Sequence, residues 1–220
     1  MIPLYDTLRA RRFPIVNWLL IALNILVFLY EISLSPAALD RLTFGWGLVP
    51  ANLAAHLTTA WITIFTAMFL HGGWFHILSN MWVLYIFGDN VEDRMGAGRY
   101  LIFYLLSGVA AGLLQSLLLH ASTVPMIGAS GAIAGVLGAY LVLYPRARIA
   151  SLVPILFIFT IIEIPAAIFL LFWFVSQLFS GWLTLGGASG SGVAWWAHVG
   201  GFLFGLASVF IFAQRRAYYS

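Results

Sequence analysis

Cysteine is absent from the 220 residues, and so is lysine. Without cysteine there is neither a disulfide framework nor a thiolate metal site, and the redox compartment stays open. Charge is scarce: charged residues make up 8% of the chain against 63% hydrophobic ones, which points to a membrane protein. The net charge of +3 would allow a nucleic-acid partner, but the 10 basic residues are all arginine and stand at the ends of apolar runs. That distribution is the signature of membrane topology, so no nucleic-acid partner is expected. Short alternating strands, as in a transmembrane barrel, are also missing; the runs are continuously apolar and separated by Gly, Pro and Arg.

What is present is a series of segments approaching the roughly 20 residues that cross a bilayer. The first, Ile15 to Ile32, follows a start containing Arg9, Arg11 and Arg12, and no convincing small-x-small cleavage site comes after it. Residues 33–59 are mixed and aromatic, as suits a loop lying in the membrane interface. Further runs are Trp74 to Phe87, Tyr100 to Leu119, Ser130 to Tyr144, Ala166 to Phe179 and Trp195 to Phe212. The stretch from Ile149 to Pro165 is interrupted by Pro154 and Pro165 and is expected to be an interfacial or re-entrant piece. Gly181 to Gly192 is expected to be a Gly/Ser loop.

The expectation is an all-α bundle of six transmembrane helices forming one domain over residues 1–220, with a short cytoplasmic segment 1–14 and a cytoplasmic tail 213–220. Both termini inside puts every arginine except Arg41 on the cytoplasmic side. Because the segment before the first run is short, the membrane core alone is expected to be active, even trimmed of its first eight residues.

That topology brings the starts of runs two, four and six to the outer side, and with them His76, Asn80, Ser130 and His198. Polar groups at bilayer depth are costly and mark either function or helix contacts. Gly131 and Gly135 in run four and Ala197, Gly201 and Gly205 in run six repeat at four-residue spacing, which lets two helix backbones approach closely. If these faces meet, Ser130 and His198 lie at one depth, and a neutral imidazole is a suitable base for a serine hydroxyl. No carboxylate lies near this level in the layout, so a Ser-His dyad is expected. His76 and Asn80, four apart, share a helix face and can donate to one point; Ser130 opens its helix, so its own N–H is also available. His71 lies off that face, and a loop role suits it at least as well as a chemical one.

Three stretches carry a resemblance: Gly128-Ala129-Ser130-Gly131, Ala197-His198-Val199-Gly200-Gly201, and His71 through Asn80. They resemble, respectively, the nucleophile, base and oxyanion motifs of bacterial-type rhomboid intramembrane serine proteases, and along the chain from about Trp61 they come in that family's order. The resemblance implies Ser130 as nucleophile, His198 as base, and His76 and Asn80 as oxyanion donors. It implies substrates that are single transmembrane helices cut near the outer interface, water reaching the site from the outer face, run five as a lateral gate, and a bacterial inner membrane as location. Two positions depart from the family pattern. Trp61-Ile62 stands where many relatives have Trp-Arg, and Ala134 stands where many have an aromatic stacking on the imidazole, a part that Trp195 or Trp196 could take. Glu92 matches an acidic position of the family and is expected to be structural.

Two other classes compete: an inactive relative that binds transmembrane helices, and a transporter, for which Glu163 between two prolines would be the feature. All four chemical positions are intact, and no internal repeat is visible. A metalloprotease would need His-Glu-x-x-His, which is missing, and an aspartyl protease two facing carboxylates, of which only Glu163 is expected inside the membrane. No cofactor or metal is expected. The expected partners are transmembrane-helix substrates and the lipid bilayer, and no signal sets an oligomeric state.

Overall fold

A computed structural model describes residues 1–155, 158–185 and 192–214. Residues 186–191 of the expected Gly/Ser loop, and Arg215 and Arg216 of the expected tail, lie outside the described residues. Six helices coincide with the six apolar runs: α1 (Ile15–Ser33), α6 (Trp74–Met95), α7 (Ala97–Leu118), α8 (Ser130–Leu143), α9 (Ala166–Leu185) and α10 (Trp195–Phe212). Of these, α1, α7, α9 and α10 are long and apolar enough to cross a membrane. Helix α6 carries Asp89, Glu92, Asp93 and Arg94 in its last turns, and α8 has only 14 residues. At 1.5 Å per residue α8 reaches about 21 Å, short of a hydrocarbon core about 30 Å thick.

Between α1 and α6 the mixed segment is not a plain loop. It folds into the short helices α2 (Pro36–Trp46), α3 (Pro50–Ala55), α4 (Leu57–Ala60) and α5 (Thr63–Thr66), followed by a single 3-10 turn over Ala67–Phe69. Proline opens both α2 and α3, where its missing N–H costs no hydrogen bond. Helix α2 buries no residue and exposes Phe44 and Trp46.

The expectation of an all-α chain is corrected by a three-stranded antiparallel sheet in the order β1-β2-β3, made of β1 (Ile2–Asp6), β2 (Arg148–Ile155) and β3 (Ile158–Pro165). The stretch read as interfacial or re-entrant is therefore a hairpin. Ile149, Val153, Thr160, Ile161, Ile162 and Ile164 are β-branched, which suits a pleated surface and disfavours a helix. The prolines fit as well. Pro3 is in an edge strand, Pro165 ends β3, and Pro154 lies in β2 beyond the four residues that pair with β1, where only β3 needs its backbone. Glu163, the expected transporter feature, sits in β3 beside Arg148 at 4.0 Å, both side chains more than half exposed. Helix α9 runs on to Leu185, so Gly181 to Leu185 is helical, not loop.

Met1 to Leu8 is likewise no free leader. Pro3 O accepts from Trp82 Nε1 at 2.6 Å, and the Asp6 carboxylate accepts from Tyr140 and from Asn90 Nδ2. At the same end of the bundle, Glu92 accepts the backbone N–H groups of Val16 and Asn17 at 3.1 and 2.7 Å, capping α1 from another helix, as the structural role expected of it requires. Asn17 in turn donates to Leu84 O and accepts from Tyr100, so α1, α6 and α7 share one buried polar knot.

Close backbone contact organises the centre. A Cβ on Gly201 would overlap Gly131 O, one on Gly205 would overlap Gly135 O, and one on Gly138 would overlap Phe202 O. The small-residue faces of α8 and α10 thus meet as expected from their spacing, and only the absence of side chains allows it.

Candidate functional site

Ser130 is the first residue of α8, and the chain leading to it is fixed at two points. Leu48 and Met126 exchange both backbone hydrogen bonds, at 3.0 and 2.8 Å, and Gly128 N–H donates to Ala67 O at 2.8 Å. Gly128 adopts φ +122°, and a Cβ there would strike the imidazole of His76, so this position requires glycine twice over. From α10, whose first turn is held where Gln115 of α7 accepts Ala197 N–H at 3.1 Å, His198 directs Nε2 to Ser130 Oγ at 2.8 Å. His198 is buried, 9% exposed, while Ser130 is half-buried and faces a cavity of about 510 Å³.

His76 and Asn80 line the same cavity from α6. His76 Nδ1 accepts Gly72 N–H at 3.3 Å, which puts the ring proton on Nε2, the nitrogen lying against Gly128. Asn80 Nδ2 is buried and has no hydrogen-bond partner among the described residues, an unusual state for an amide at depth. The N–H of Ser130 lies in the first turn of α8, where no intrahelical acceptor exists. All four residues singled out from the sequence therefore converge on one cavity. Chemically, a hydroxyl in contact with an imidazole, facing donors with no acceptor of their own, suits addition to a carbonyl whose oxygen becomes negative.

His71 stands apart from this group. Its N–H donates to the Glu31 carboxylate at 3.1 and 3.2 Å, Nδ1 lies 3.3 Å from Phe69 O, and its ring packs edge-on against His76 with centroids 5.1 Å apart. It braces the turn that starts α6. Glu31, 1% exposed at the end of α1, corrects the expectation that Glu163 is the only carboxylate inside the bundle; it holds the loop backbone and not an imidazole.

The residue that the motifs did not single out is Gln177 of α9, whose Oε1 lies 2.7 Å from His198 Nδ1. Its signal was an amide inside an apolar run, the same as that of Asn80, but nothing in the run of α9 points it to a partner 21 residues away. Aromatic support for His198 comes from two sides. Trp195 meets it edge-on at 6.0 Å, and Trp173 of α9 lies 5.9 Å away at an interplanar angle of 33°. Trp196 instead packs against Gly181. Ile62, at the other departure, sits between α4 and α5 with its side chain exposed, and the loop is tied there by Thr66 Oγ1 donating to Trp46 O at 2.6 Å.

Residues 58–215 match the Rhomboid domain family. The chain is 34% identical over 159 residues to RHOMBOID-like protein 6, mitochondrial, of Arabidopsis thaliana, covering 69% of this chain and 44% of that protein. It is 36% identical over 129 residues to Rhomboid protease GluP of Bacillus subtilis, covering 58% of this chain and 24% of that protein. With Rhomboid protein 1, mitochondrial, of Saccharomyces cerevisiae it shares 34% identity over 107 residues, covering 47% and 30%. The chain thus spans less than half the length of each of these relatives. The family match takes in every residue lining the serine and histidine contact described above, and on that ground the chain belongs to the rhomboid family.

Proposed function

We propose that this protein is an intramembrane serine endopeptidase that cuts peptide bonds in or next to transmembrane helices of other membrane proteins. The observation that carries the reading is the 2.8 Å contact between Ser130 Oγ and His198 Nε2 at the edge of a cavity into which Asn80 brings an unpartnered donor. His198 Nε2 takes the hydroxyl proton as Ser130 Oγ adds to the peptide carbonyl carbon. The negative oxygen is held by Asn80 Nδ2, His76 Nε2 and the Ser130 N–H. The intermediate collapses by breaking the C–N bond, and the leaving amine takes the proton from His198. Water, deprotonated by His198, then hydrolyses the acyl-serine ester and restores the hydroxyl. No metal or cofactor enters these steps.

In this reading the six helices α1, α6, α7, α8, α9 and α10 all cross or line the bilayer as one domain, with both termini cytoplasmic and the cavity facing the outer side. The arginine distribution supports that orientation. A bacterial inner membrane is the proposed location; relatives carrying mitochondrial names make a mitochondrial membrane the alternative. Helix α9, which buries the smallest share of its length among the four long apolar helices, is the proposed lateral gate for substrate.

The test is cleavage of a fluorescent single-span reporter with a Gly/Ala-containing outer boundary in proteoliposomes. Wild type is expected to cut it, while Ser130→Ala and His198→Ala lose at least about a thousandfold in rate. If wild type leaves the reporter intact while still co-purifying with it, the protein is a binder of transmembrane helices and the proposal fails.

A further inference from the structure

We propose that Gln177 is a positioning residue that sets the tautomer and orientation of His198 from α9. The inference rests on the serine protease reading above. A neutral imidazole carries its proton on one nitrogen, and only the form with a bare Nε2 can take the proton of Ser130. Which form is present depends on what faces Nδ1, and here it is an amide.

The orientation of that amide follows from its other contacts. Gln177 Nε2 lies 3.2 Å from Trp173 O and 2.9 Å from Ser176 Oγ, and the Ser176 hydroxyl itself donates to Trp173 O. A backbone carbonyl only accepts, so the nitrogen of the amide must face it; the flipped amide would set oxygen against oxygen. Oε1 is therefore the atom facing His198 at 2.7 Å, and since an amide oxygen only accepts, Nδ1 must bear the proton. Nε2 is then the bare acceptor, 2.8 Å from Ser130 Oγ. A continuous chain runs from Trp173 O through Gln177 and His198 to Ser130.

One of the two aromatic contacts on the ring comes from the same helix. Position 134, one turn after the serine, offers only a methyl group, while Trp173 of α9 lies beside the imidazole at 5.9 Å. Trp173 and Gln177 are four residues apart and so share a face of α9. The tautomer, and one of the two aromatic contacts on the base, are thus supplied by α9, the helix that buries the smallest share of its length among the four long apolar ones. Displacing α9 would release the base.

The experiment uses the full chain in nanodiscs, labelled with nitrogen-15 histidine, with the His198 signals identified by comparison with His198→Ala. Wild type is expected to show His198 in the Nδ1–H form. In Gln177→Leu, which keeps the volume but removes the acceptor, the signal is expected to redistribute toward Nε2–H. In parallel, the rate at which a fluorophosphonate probe phosphonylates Ser130 with loss of fluoride is expected to fall about 10- to 100-fold. Gln177→Glu, which keeps an acceptor, is expected to recover most of it. Gln177→Met, which also removes the acceptor, is expected to act in the same direction and serves if Gln177→Leu does not fold. A folded Gln177→Leu or Gln177→Met protein that keeps the wild-type tautomer overturns the proposal, even if its labelling is slow. Failure of the protease reading looks different: wild type would then neither label nor cleave, while the tautomer is still measured.

Discussion

Asn80 is the residue whose environment is hardest to explain without chemistry. It is 6% exposed, and its Nδ2 donates to nothing among the described residues. A buried donor without a partner is destabilising by about 1–3 kcal/mol, so the site holds this group at a cost that an incoming acceptor would relieve. An oxyanion donor acts mainly in the transition state. Asn80→Ala is therefore expected to lower kcat by about 100-fold or more with KM nearly unchanged, and to leave thermal stability equal or slightly higher. Steady-state kinetics and a melting curve on the same preparation check both halves. A raised KM with unaltered kcat would remove Asn80 from the site.

At the scale of elements, the contact of α8 with α10 fixes how far Ser130 stands from His198. Gly201 lies against the backbone oxygen of Gly131, one residue after Ser130, so any side chain must push the helices apart. Gly201→Ala is expected to lower Tm by about 3–10 °C, corresponding to overpacking of about 1–3 kcal/mol. It is also expected to slow labelling of Ser130 by lengthening the Ser130–His198 contact. Gly45, in the last turn of α2 with open space around it, is the matched control: Gly45→Ala is expected to be neutral or stabilising by up to about 1 kcal/mol. These faces were legible beforehand, because a four-residue spacing of small residues reports a helix contact directly. The hairpin of β2 and β3 was less so, since an apolar run with prolines can be read as broken helix, and only its β-branched content argued for strands.

For the molecule as a whole, the sheet ties the N-terminal strand to the helix ends through Asp6, which receives hydrogen bonds from Tyr140 of α8 and Asn90 of α6. Burial raises the Asp6 carboxyl above its ordinary 3.8, against the smaller lowering effect of the Tyr140 hydrogen bond. A folded-state pKa above the unfolded one gives stability that is fully present below the unfolded value and lost as pH rises through the folded one. The wild-type Tm is thus expected to fall as pH climbs out of the acid range. Asp6→Asn, which can still accept from Tyr140, is expected to flatten that decline. Parallel declines in both proteins would mean that Asp6 does not govern it. Truncation of residues 1–8, expected from the sequence to leave the membrane core active, removes β1 and these contacts, so a lower Tm is the expected result.

What the sequence by itself determined is whatever depends on local order: which runs are apolar, where helices begin, which faces are small, and which polar residues stand among apolar ones. That Ser130, His76, Asn80 and His198 share one cavity was legible because each sits near the start of a run, where the expected topology assigns a common level. Tertiary structure alone decided the partners. That Nδ1 of His198 faces Gln177, that Glu31 holds the turn before α6, and that Met1 to Leu8 is pinned by a strand from the middle of the chain all depend on pairing between distant segments. The physical reason is that a buried polar group must find a partner wherever packing brings one, and the pattern of a run states that need without stating where it is met.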